Sequence, residues 1–515
     1  MSSLKKTAII ITIITLVCKL FGFAREIVLA FFFGTSYIVD AYLMASSIPG
    51  ILFGWIASIA LSYTPIYTEI KENRGKDKSK EFTNSILSLV LIISVLCVLV
   101  GTIFSKQIVS LTAPGFTGDV FTLTTKYFTV AIWTILFIAP IQVLTAYLNC
   151  NNKFILSNSA TLVISSIQLI FIIIAGYFGI ELLIYGVVVA NLLHFVIVCF
   201  FAIKEGLKIK FSIKLTDEIK NAFIIVIPIF ISSMIDQVNK FIDKSFASGL
   251  IEGSIAALNY ANILQGFIFS IFTIAITTMI YPMLSQAVAE RNTEKVKTIF
   301  SSGINIIILL FVPITIGSIL LARPSISFVF ERGEFDSSSL VMTSSAFIMY
   351  GIGLLALALR DVITKVFYSM QDTKSTLYIG AFTVALNILF NVALIKPMGH
   401  NGLALATSLS SIISIPMFFI VLRKKLGSLG LKNTLILFIK ASLATAVMGV
   451  IVYFGYNYVS GVLGLGKLGI LISIGISVVA GGIIYFLLMI LMKVKEMNFF
   501  VDIIINIFRK FKRRG

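Results

Sequence analysis

An apolar run from Thr7 to Gly34 carries two cations, in the stretch Lys19-Leu20-Phe21-Gly22-Phe23-Ala24-Arg25-Glu26. The run is long enough to cross a bilayer, because a transmembrane helix needs about 20 apolar residues. An ionisable side chain at mid-membrane depth costs about 3 kcal/mol or more, and it normally faces a bundle interior or a water-filled cavity. The stretch therefore predicts the first helix of a polytopic membrane protein that moves a charged substrate, in particular an anion.

The whole chain has the composition of a helical membrane protein. Of its 515 residues, 58% are hydrophobic and 12% are charged, and the mean hydropathy is +1.03. Helices satisfy their backbone groups inside lipid without closing a barrel, so the expected class is all-α and polytopic. The first apolar run is too long for a cleavable signal peptide and has no small-residue cleavage site, so it is expected to remain as the first span.

Fourteen segments are long enough and apolar enough to span a bilayer. Together they predict fourteen transmembrane helices. The predicted spans are 7–33, 38–66, 82–104, 122–149, 155–178, 181–203, 219–247, 253–287, 298–320, 339–369, 375–394, 400–422, 433–457 and 466–492.

The spans divide into two halves at 204–220, the longest cytoplasmic connection, which is strongly basic. A cation, a small-residue outer turn, an aromatic residue and a proline follow one another in spans one and two, and the same order recurs in spans seven and eight. Chance similarity between apolar helices is the competing explanation. Paired halves around a central cleft are a common transporter plan, which favours two pseudo-symmetric six-helix lobes plus two extra C-terminal helices. The predicted segments are an N-terminal lobe (1–203), a linker (204–220), a C-terminal lobe (221–423), the last two spans (432–492) and a basic cytoplasmic tail (493–515).

Basic residues are distributed unevenly between the two sets of connecting segments. With the N-terminus inside, the cytoplasmic segments hold 28 Lys and Arg residues and the external loops hold 5. This positive-inside asymmetry predicts that both termini are cytoplasmic. It also accounts for the net charge of +18 without nucleic acid, because anionic lipid headgroups suffice as partners for the inner loops.

Motifs for catalysis are missing from the sequence. The four cysteines lie within or at the ends of spans without metal-ligand spacing, and the two histidines are far apart. There is no nucleotide-binding loop and no acyl-transfer triad motif. We therefore expect a protein that is not an enzyme and has no organic cofactor.

Several motifs in order carry a family resemblance. Gly22-Phe23-Ala24-Arg25-Glu26 is followed by Asp40-Ala41, Leu111-Thr112-Ala113-Pro114-Gly115-Phe116, Phe328-Val329-Phe330-Glu331-Arg332-Gly333-Glu334-Phe335 and Phe367-Tyr368-Ser369-Met370-Gln371-Asp372-Thr373-Lys374. The chain resembles the MurJ/MviN family of lipid II flippases, within the superfamily that includes MATE exporters and polysaccharide flippases. The resemblance implies a monomer in the cytoplasmic membrane that flips lipid II from the inner to the outer leaflet by alternating access, with cell-wall synthesis proteins as partners.

The resemblance also implies a substrate site, in which this chain departs from the family pattern. Family members point several arginines at a pyrophosphate, whereas here Lys19 replaces one of them, Gly54 stands in the middle of span two and Asn262 stands in span eight. The expected substrate-binding residues are Lys19, Arg25, Asp40 and Asn262. Internal pairing is the competing interpretation, with Arg25 bound to Asp40 or Lys19 bound to Glu26.

A second candidate site lies in the C-terminal half and would bind Na⁺. Asn387 and Asn391 share a face of span eleven, and Thr407 and Leu403 are one turn apart on span twelve. With Asp236 on span seven they supply carboxylate, amide, hydroxyl and carbonyl oxygens, which hard cations prefer, and some family members bind sodium at such positions. The alternative is a structural role, in which Asp236 pairs with Lys240 and the asparagines bridge helices.

Three other functions compete with lipid II flipping. The missing arginines favour a flippase for another undecaprenyl-linked envelope glycan. A MATE-like drug:cation antiporter fits the superfamily, but its substrates are usually cationic. A scaffold for cell-wall enzymes would gain nothing from the desolvation of Lys19, Arg25 and Asp236.

Overall fold

The computed structural model describes residues 2–212, 237–464 and 466–497. Within these residues the chain is helical and contains no strand. In chain order the helices are α1 Ser2–Phe33, α2 Tyr37–Phe53, α3 Trp55–Arg74, α4 Lys76–Ile103, α5 Ser105–Thr112, α6 Gly118–Ala131, α7 Ile135–Cys150, α8 Phe154–Ser159, α9 Thr161–Phe178, α10 Leu182–Lys204, α11 237–247, α12 Ser254–Ala289, α13 Thr293–Leu320, α14 Ala322–Phe330, α15 Ser337–Ile352, α16 Leu354–Ser369, α17 Thr373–Met398, α18 His400–Leu426, α19 Leu431–Leu463 and α20 Lys467–Leu491.

The helices confirm the all-α polytopic class. Ten of those in the described part are long and apolar enough to cross a membrane, and α15 with α16, bent by 46°, makes an eleventh if the pair is one span. The first two predicted spans correspond to α1 and to the pair α2 and α3. The seventh, 219–247, lies mostly outside the described residues. The count of fourteen therefore stays a prediction.

The chain divides into two compact units. The first comprises Met1–Ala257 and Arg332–Ser339, and the second comprises Leu258–Glu331 and Leu340–Gly515. The division falls inside α12 rather than in the connection 204–220, so α11 and the first turn of α12 belong to the first unit. The lobe boundaries expected from the sequence stay a prediction, as does the pseudo-symmetry of the lobes.

In the first unit, α1 packs along α8 and α9, which together form one span. Gly176 on α9 makes this possible, because a Cβ atom there would lie 2.2 Å from the ring of Phe32. Near the ends of α3 and α7, Tyr63 and Tyr67 stack with ring centroids 5.3 Å apart, and Tyr147 meets Tyr67 edge to face. These buried rings fix the helices that carry the first unit's charged residues.

In the second unit, α13 packs against α16 and α19 around a core that includes Phe300, Phe311 and Phe367. The helices α19 and α20 pack on each other, and α19 also lies along α13. Both helices contribute to the buried core of the second unit, with Met448 and Val452 from α19 and Tyr485 and Met489 from α20.

Five helices, α7, α10, α12, α16 and α20, end in the same backbone motif. In each, the second residue after the helix has a positive φ, and two backbone hydrogen bonds close the last turn as in the Schellman motif. At the end of α20, for example, Val494 N–H donates to Met489 and Lys493 N–H donates to Ile490. All five ends lie on the side predicted to be cytoplasmic. The positive-φ residues are Asn152, Gly206, Arg291, Gln371 and Lys493.

Candidate functional site

Arg25 on α1 is held by two neighbours in the first unit. Its Nε donates to Glu26 Oε1 at 3.1 Å, and its Nη2 forms an ion pair with the same carboxylate. Its Nη1 donates to Gln168 Oε1 on α9. The Arg25 side chain keeps 28% of its surface exposed, whereas that of Glu26 keeps 3%. The guanidinium is therefore oriented by the protein on a side chain that stays partly exposed.

This arrangement settles one of the pairings expected from the sequence. Arg25 pairs with Glu26 and not with Asp40, so the predicted Arg25–Asp40 pair is wrong. Lys19 lies on the same helix with its side chain exposed, and a Cβ atom built on Gly22 would meet nothing within 4 Å. Space is thus open beside Gly22. Whether Lys19 and Arg25 bind substrate stays a prediction.

Asp40 on α2 caps the N-terminus of another helix. Its Oδ2 accepts a hydrogen bond from Gly253 N at 2.8 Å, and its Oδ1 accepts one from Ala256 N at 2.8 Å. The residue is 4% exposed. Charge-assisted bonds from backbone N–H groups and the positive end of α12 stabilise the buried carboxylate. The geometry therefore shows a structural use of Asp40, and its predicted contact with substrate is untested.

The capping is reciprocal. Glu252, just before α12, accepts a hydrogen bond from Tyr37 N, the first residue of α2, at 2.9 Å. The segments before α2 and before α12 lie close together. A Cβ atom on Gly253 (φ 82°) would lie 2.0 Å from Thr35 O. The segment after Arg332 joins them, with Glu334 N donating to Phe31 O at 2.9 Å. We call these residues, 31–40, 248–256 and 332–339, the outer turn cluster.

The neutral members of the candidate sodium site lie together in the second unit. Asn391 Nδ2 donates to Asn387 Oδ1 at 3.0 Å, and Asn387 Nδ2 donates to Thr407 Oγ1 at 3.2 Å. Thr407 Oγ1 in turn donates to Leu403 O at 3.2 Å. Both asparagines and Leu403 are fully buried. The predicted proximity of these four residues is confirmed, and their binding of Na⁺ stays a prediction.

Two expected site residues do not join these arrangements. Asp236 lies outside the described residues. Asn262 lies on the part of α12 that belongs to the second unit, and its side chain is exposed. Among the described residues, no group of three or more His, Cys, Asp or Glu side chains is arranged to hold a metal ion.

The second unit contains an apolar cavity of about 480 Å³. Ligand pockets in proteins measure about 300–1,000 Å³. No charged residue lines the cavity, and the Tyr485 hydroxyl is satisfied by Leu309 O at 2.9 Å. Such a space suits a hydrocarbon chain. Its lining comes from α12 to α15, α19, α20 and the turn after α20, and includes Phe272, Leu310, Ile314, Val452, Gly482 and Met497.

The membrane-spanning helices, which hold a partly buried ion pair and an apolar cavity, define a multi-pass membrane protein. The lipid II flippase MurJ family matches residues 29–472. The chain therefore belongs to this family.

Individual relatives agree with this assignment. A probable lipid II flippase MurJ of Rickettsia prowazekii (strain Madrid E) is 28% identical over 425 residues, covering 81% of this chain and 83% of its own. One of Buchnera aphidicola subsp. Baizongia pistaciae (strain Bp) is 29% identical over 469 residues, covering 88% and 90%. The lipid II flippase MurJ of Burkholderia cenocepacia (strain J2315) is 25% identical over 431 residues, covering 80% and 82%.

Solved structures share the fold. A lipid II flippase MurJ in an inward closed conformation superposes with a TM-score of 0.81 at 22% identity, covering 96% of this chain and 100% of its own. An inward-facing MATE family multidrug resistance transporter of the MOP superfamily gives a TM-score of 0.67 at 16% identity, covering 81% and 96%. These likenesses show a common fold.

Sequence reasoning missed Gln168, Glu252 and the apolar cavity. Gln168 had a signal, because it is an amide in the middle of an apolar span, where a polar side chain needs a partner. Glu252 lies two residues before the start of α12, and no motif in the sequence marks it as a capping residue. The cavity depends on several helices that meet after folding, so no local pattern marks it.

Proposed function

We propose that this protein moves lipid II from the inner to the outer leaflet of the cytoplasmic membrane by alternating access, without covalent chemistry on the lipid. The observation that supports this proposal most is the part-exposed side chain of Arg25, whose guanidinium is oriented within an apolar helix by Glu26 and Gln168. An arginine suits a diphosphate because its planar fork donates paired hydrogen bonds to phosphate oxygens.

Glu26 gives Arg25 a resident counter-ion. While the site is empty of substrate, the carboxylate stabilises the guanidinium, which would otherwise be costly in a low-dielectric interior. A diphosphate carries more negative charge than one carboxylate and competes for the same N–H groups. The bond from neutral Gln168 involves no such competition, so it can persist. We propose that substrate shares or displaces Glu26, which regains Arg25 on release.

The lipid part of the substrate has a matching feature in the second unit. The apolar cavity offers no charge and few polar atoms, as a polyprenyl chain requires. We propose that part of the polyprenyl chain of the substrate occupies the cavity. Movement of the charged group is driven in this proposal by an ion gradient or by the membrane potential, which supplies about 2.3 kcal/mol per charge across 100 mV.

For the coupling ion we propose Na⁺ at Asp236, Asn387, Asn391, Leu403 and Thr407. The last four already form one hydrogen-bonded chain that contains hydroxyl, amide and carbonyl oxygens, and hard cations bind such oxygens. We further propose a monomer that is not an enzyme, with lipid II and membrane lipids as partners and cell-wall synthesis proteins nearby.

For orientation we propose that both termini and the segment after α10 are cytoplasmic, because basic residues concentrate in those segments. Lys208 is exposed and serves as a probe position. In a variant without native cysteines that carries Lys208→Cys, an impermeant thiol reagent applied to intact cells should leave position 208 unlabelled. Labelling there would refute this orientation.

The proposed function is tested by reconstituting the purified protein into vesicles that contain labelled lipid II. Lipid II should reach the outer leaflet, and an excess of another undecaprenyl-linked glycan should compete weakly. The substitution of family arginines, with Gly54 and Asn262 in their places, favours that other glycan as the second candidate substrate. Efficient flipping of the other glycan without lipid II movement would make the second candidate the function.

A further inference from the structure

The chain after α20 turns back onto the second unit instead of leaving it. Helix α20 ends at Leu491, and Lys493 takes a positive φ of 54°. The carbonyl of Met492 accepts a hydrogen bond from Lys440 Nζ on α19 at 2.8 Å. Val494 and Met497 are 6% and 4% exposed, so the segment buries these two apolar side chains.

A chain of polar groups fastens the segment. Glu496 Oε1 accepts a hydrogen bond from Asn305 Nδ2 on α13 at 2.6 Å. Asn305 Oδ1 accepts one from Thr434 Oγ1 on α19 at 3.0 Å. Asn305 and Thr434 are 7% and 8% exposed. A buried amide with both ends bonded holds Glu496 in one place, because breaking either bond would leave a desolvated polar group.

The fastened segment forms one end of the apolar cavity. Met497 follows Glu496 directly and is part of the cavity lining, as are Leu309 on α13 and Leu321 just after α13. These two residues are twelve apart, so the cavity runs along roughly 18 Å of α13. Asn305 lies one turn before Leu309, which places the Glu496 attachment at the Leu309 end.

We propose that Met492–Met497 is the end wall of a lipid-chain site, in which Met497 contacts the chain and Glu496 is a positioning residue. This inference rests on the proposed function, in which a polyprenyl chain occupies the cavity. Methionine suits such a wall because its unbranched, polarisable side chain adapts to irregular apolar surfaces. The polar attachment keeps the wall in place when the cavity is filled.

The test uses photoreactive undecaprenol, which has the chain but no phosphate, with the purified full-length protein in detergent. Met497→Ala and Glu496→Ala should each weaken its binding by about tenfold, the effect of a methylene lost from an apolar pocket. Glu496→Gln keeps the acceptor for Asn305 and should bind like wild type. Lys495→Ala, which changes the exposed neighbour, is the matched control and should also bind like wild type.

Thermal unfolding of each variant identifies any that fail to fold. If Glu496→Ala fails to fold, Thr434→Val is tested in its place. This substitution removes the Thr434 hydroxyl at nearly constant volume, and it should also weaken binding of the probe. Unchanged binding by Met497→Ala would overturn the proposal. The proposal would also fail if Glu496→Gln weakened binding as much as Glu496→Ala does.

A cavity-filling variant separates this proposal from the proposed function. If Gly482→Leu blocks labelling while the Met497 and Glu496 variants leave it unchanged, the chain occupies the cavity but the end wall has no role. If the wild type neither binds the probe nor flips lipid II, both proposals fail.

Discussion

The Arg25 region of the first unit and the apolar cavity of the second differ in chemistry: the first holds charged and polar groups, and the second is lined by apolar surface. Arg25, Glu26 and Gln168 form a hydrogen-bonded set in which each polar group has a partner. The cavity is lined by hydrocarbon and aromatic surface without a charged side chain. An amphipathic lipid has one part suited to each. In the proposed function, recognition is divided between these two chemistries, so substitutions should disable each region separately.

The largest expected effect concerns the charged region. Arg25→Ala should abolish complementation of a flippase-depleted strain. The change removes the proposed hydrogen-bond donor to phosphate and leaves the Glu26 carboxylate without its arginine partner. Arg25→Lys should recover little, because an ammonium cannot donate a planar pair of hydrogen bonds. Membrane fractionation and thermal unfolding would show that each variant is folded.

Lys126→Ala is the matched control for Arg25. Lys126 pairs with Glu181, and both side chains are more than half exposed, so its loss should cost about 1 kcal/mol of stability or less and leave transport intact. Normal growth supported by Arg25→Ala would show that the guanidinium is structural and would remove one side of the comparison.

The cavity offers the next largest effect. Gly482 lines it, and a Cβ atom there would meet nothing within 4 Å. Gly482→Leu should therefore place a side chain in the cavity and reduce lipid II flipping in vesicles by about tenfold. Gly475 on the same helix is equally unobstructed but does not line the cavity, so Gly475→Leu should flip at the wild-type rate. Equal rates in both variants would argue that the lipid chain stays outside the cavity.

A smaller effect is expected at the amide cluster of α17 and α18. If Na⁺ binds there, the melting temperature of the purified protein should rise more with Na⁺ than with equal K⁺, because a ligand of the folded state stabilises it by mass action, by about 2.7 kcal/mol at 100 times Kd. Asp236→Asn and Thr407→Val should each remove that difference. Equal stabilisation of the wild type by both ions would leave the cluster as a structural bridge between two helices.

The smallest effect lies at the outer turn cluster. Asp336 accepts a hydrogen bond from Ser339 N at 2.8 Å at the start of α15, and this bond lowers the pKa of the Asp336 carboxyl. A lowered pKa in the folded protein adds stability at neutral pH that is lost as the pH falls through that pKa, below the ordinary value of about 3.9. Asp336→Asn keeps the cap and should reduce the loss of melting temperature between pH 5 and pH 3. An unchanged acid profile would show that the Asp336 carboxylate adds nothing there.

The sequence predicted features that depend on residues close together along the chain, and it failed for contacts between residues far apart in sequence. Hydropathy and charge set the helices, and a spacing of four residues placed Asn387 beside Asn391, because both depend on neighbours along one helix. The same reasoning failed for the partner of Arg25, since Gln168 is 143 residues away. It failed likewise for Asp40, whose acceptor atoms meet N–H groups more than 200 residues further on. A carboxylate in an apolar helix signals that a partner exists, and the fold decides which one.

The repeated Schellman ends have a consequence for how the chain is made. Each of the five closes its last carbonyl groups with N–H groups of the next two residues, so no distant segment is needed to complete it. A helix that leaves the insertion machinery can thus finish its end before the following helix exists. At 152, 291, 371 and 493 the residue in the left-handed conformation is not glycine, so each of these ends also holds backbone strain. Biogenesis of this protein should therefore proceed span by span, with each of these five helix ends completed as it emerges from the ribosome.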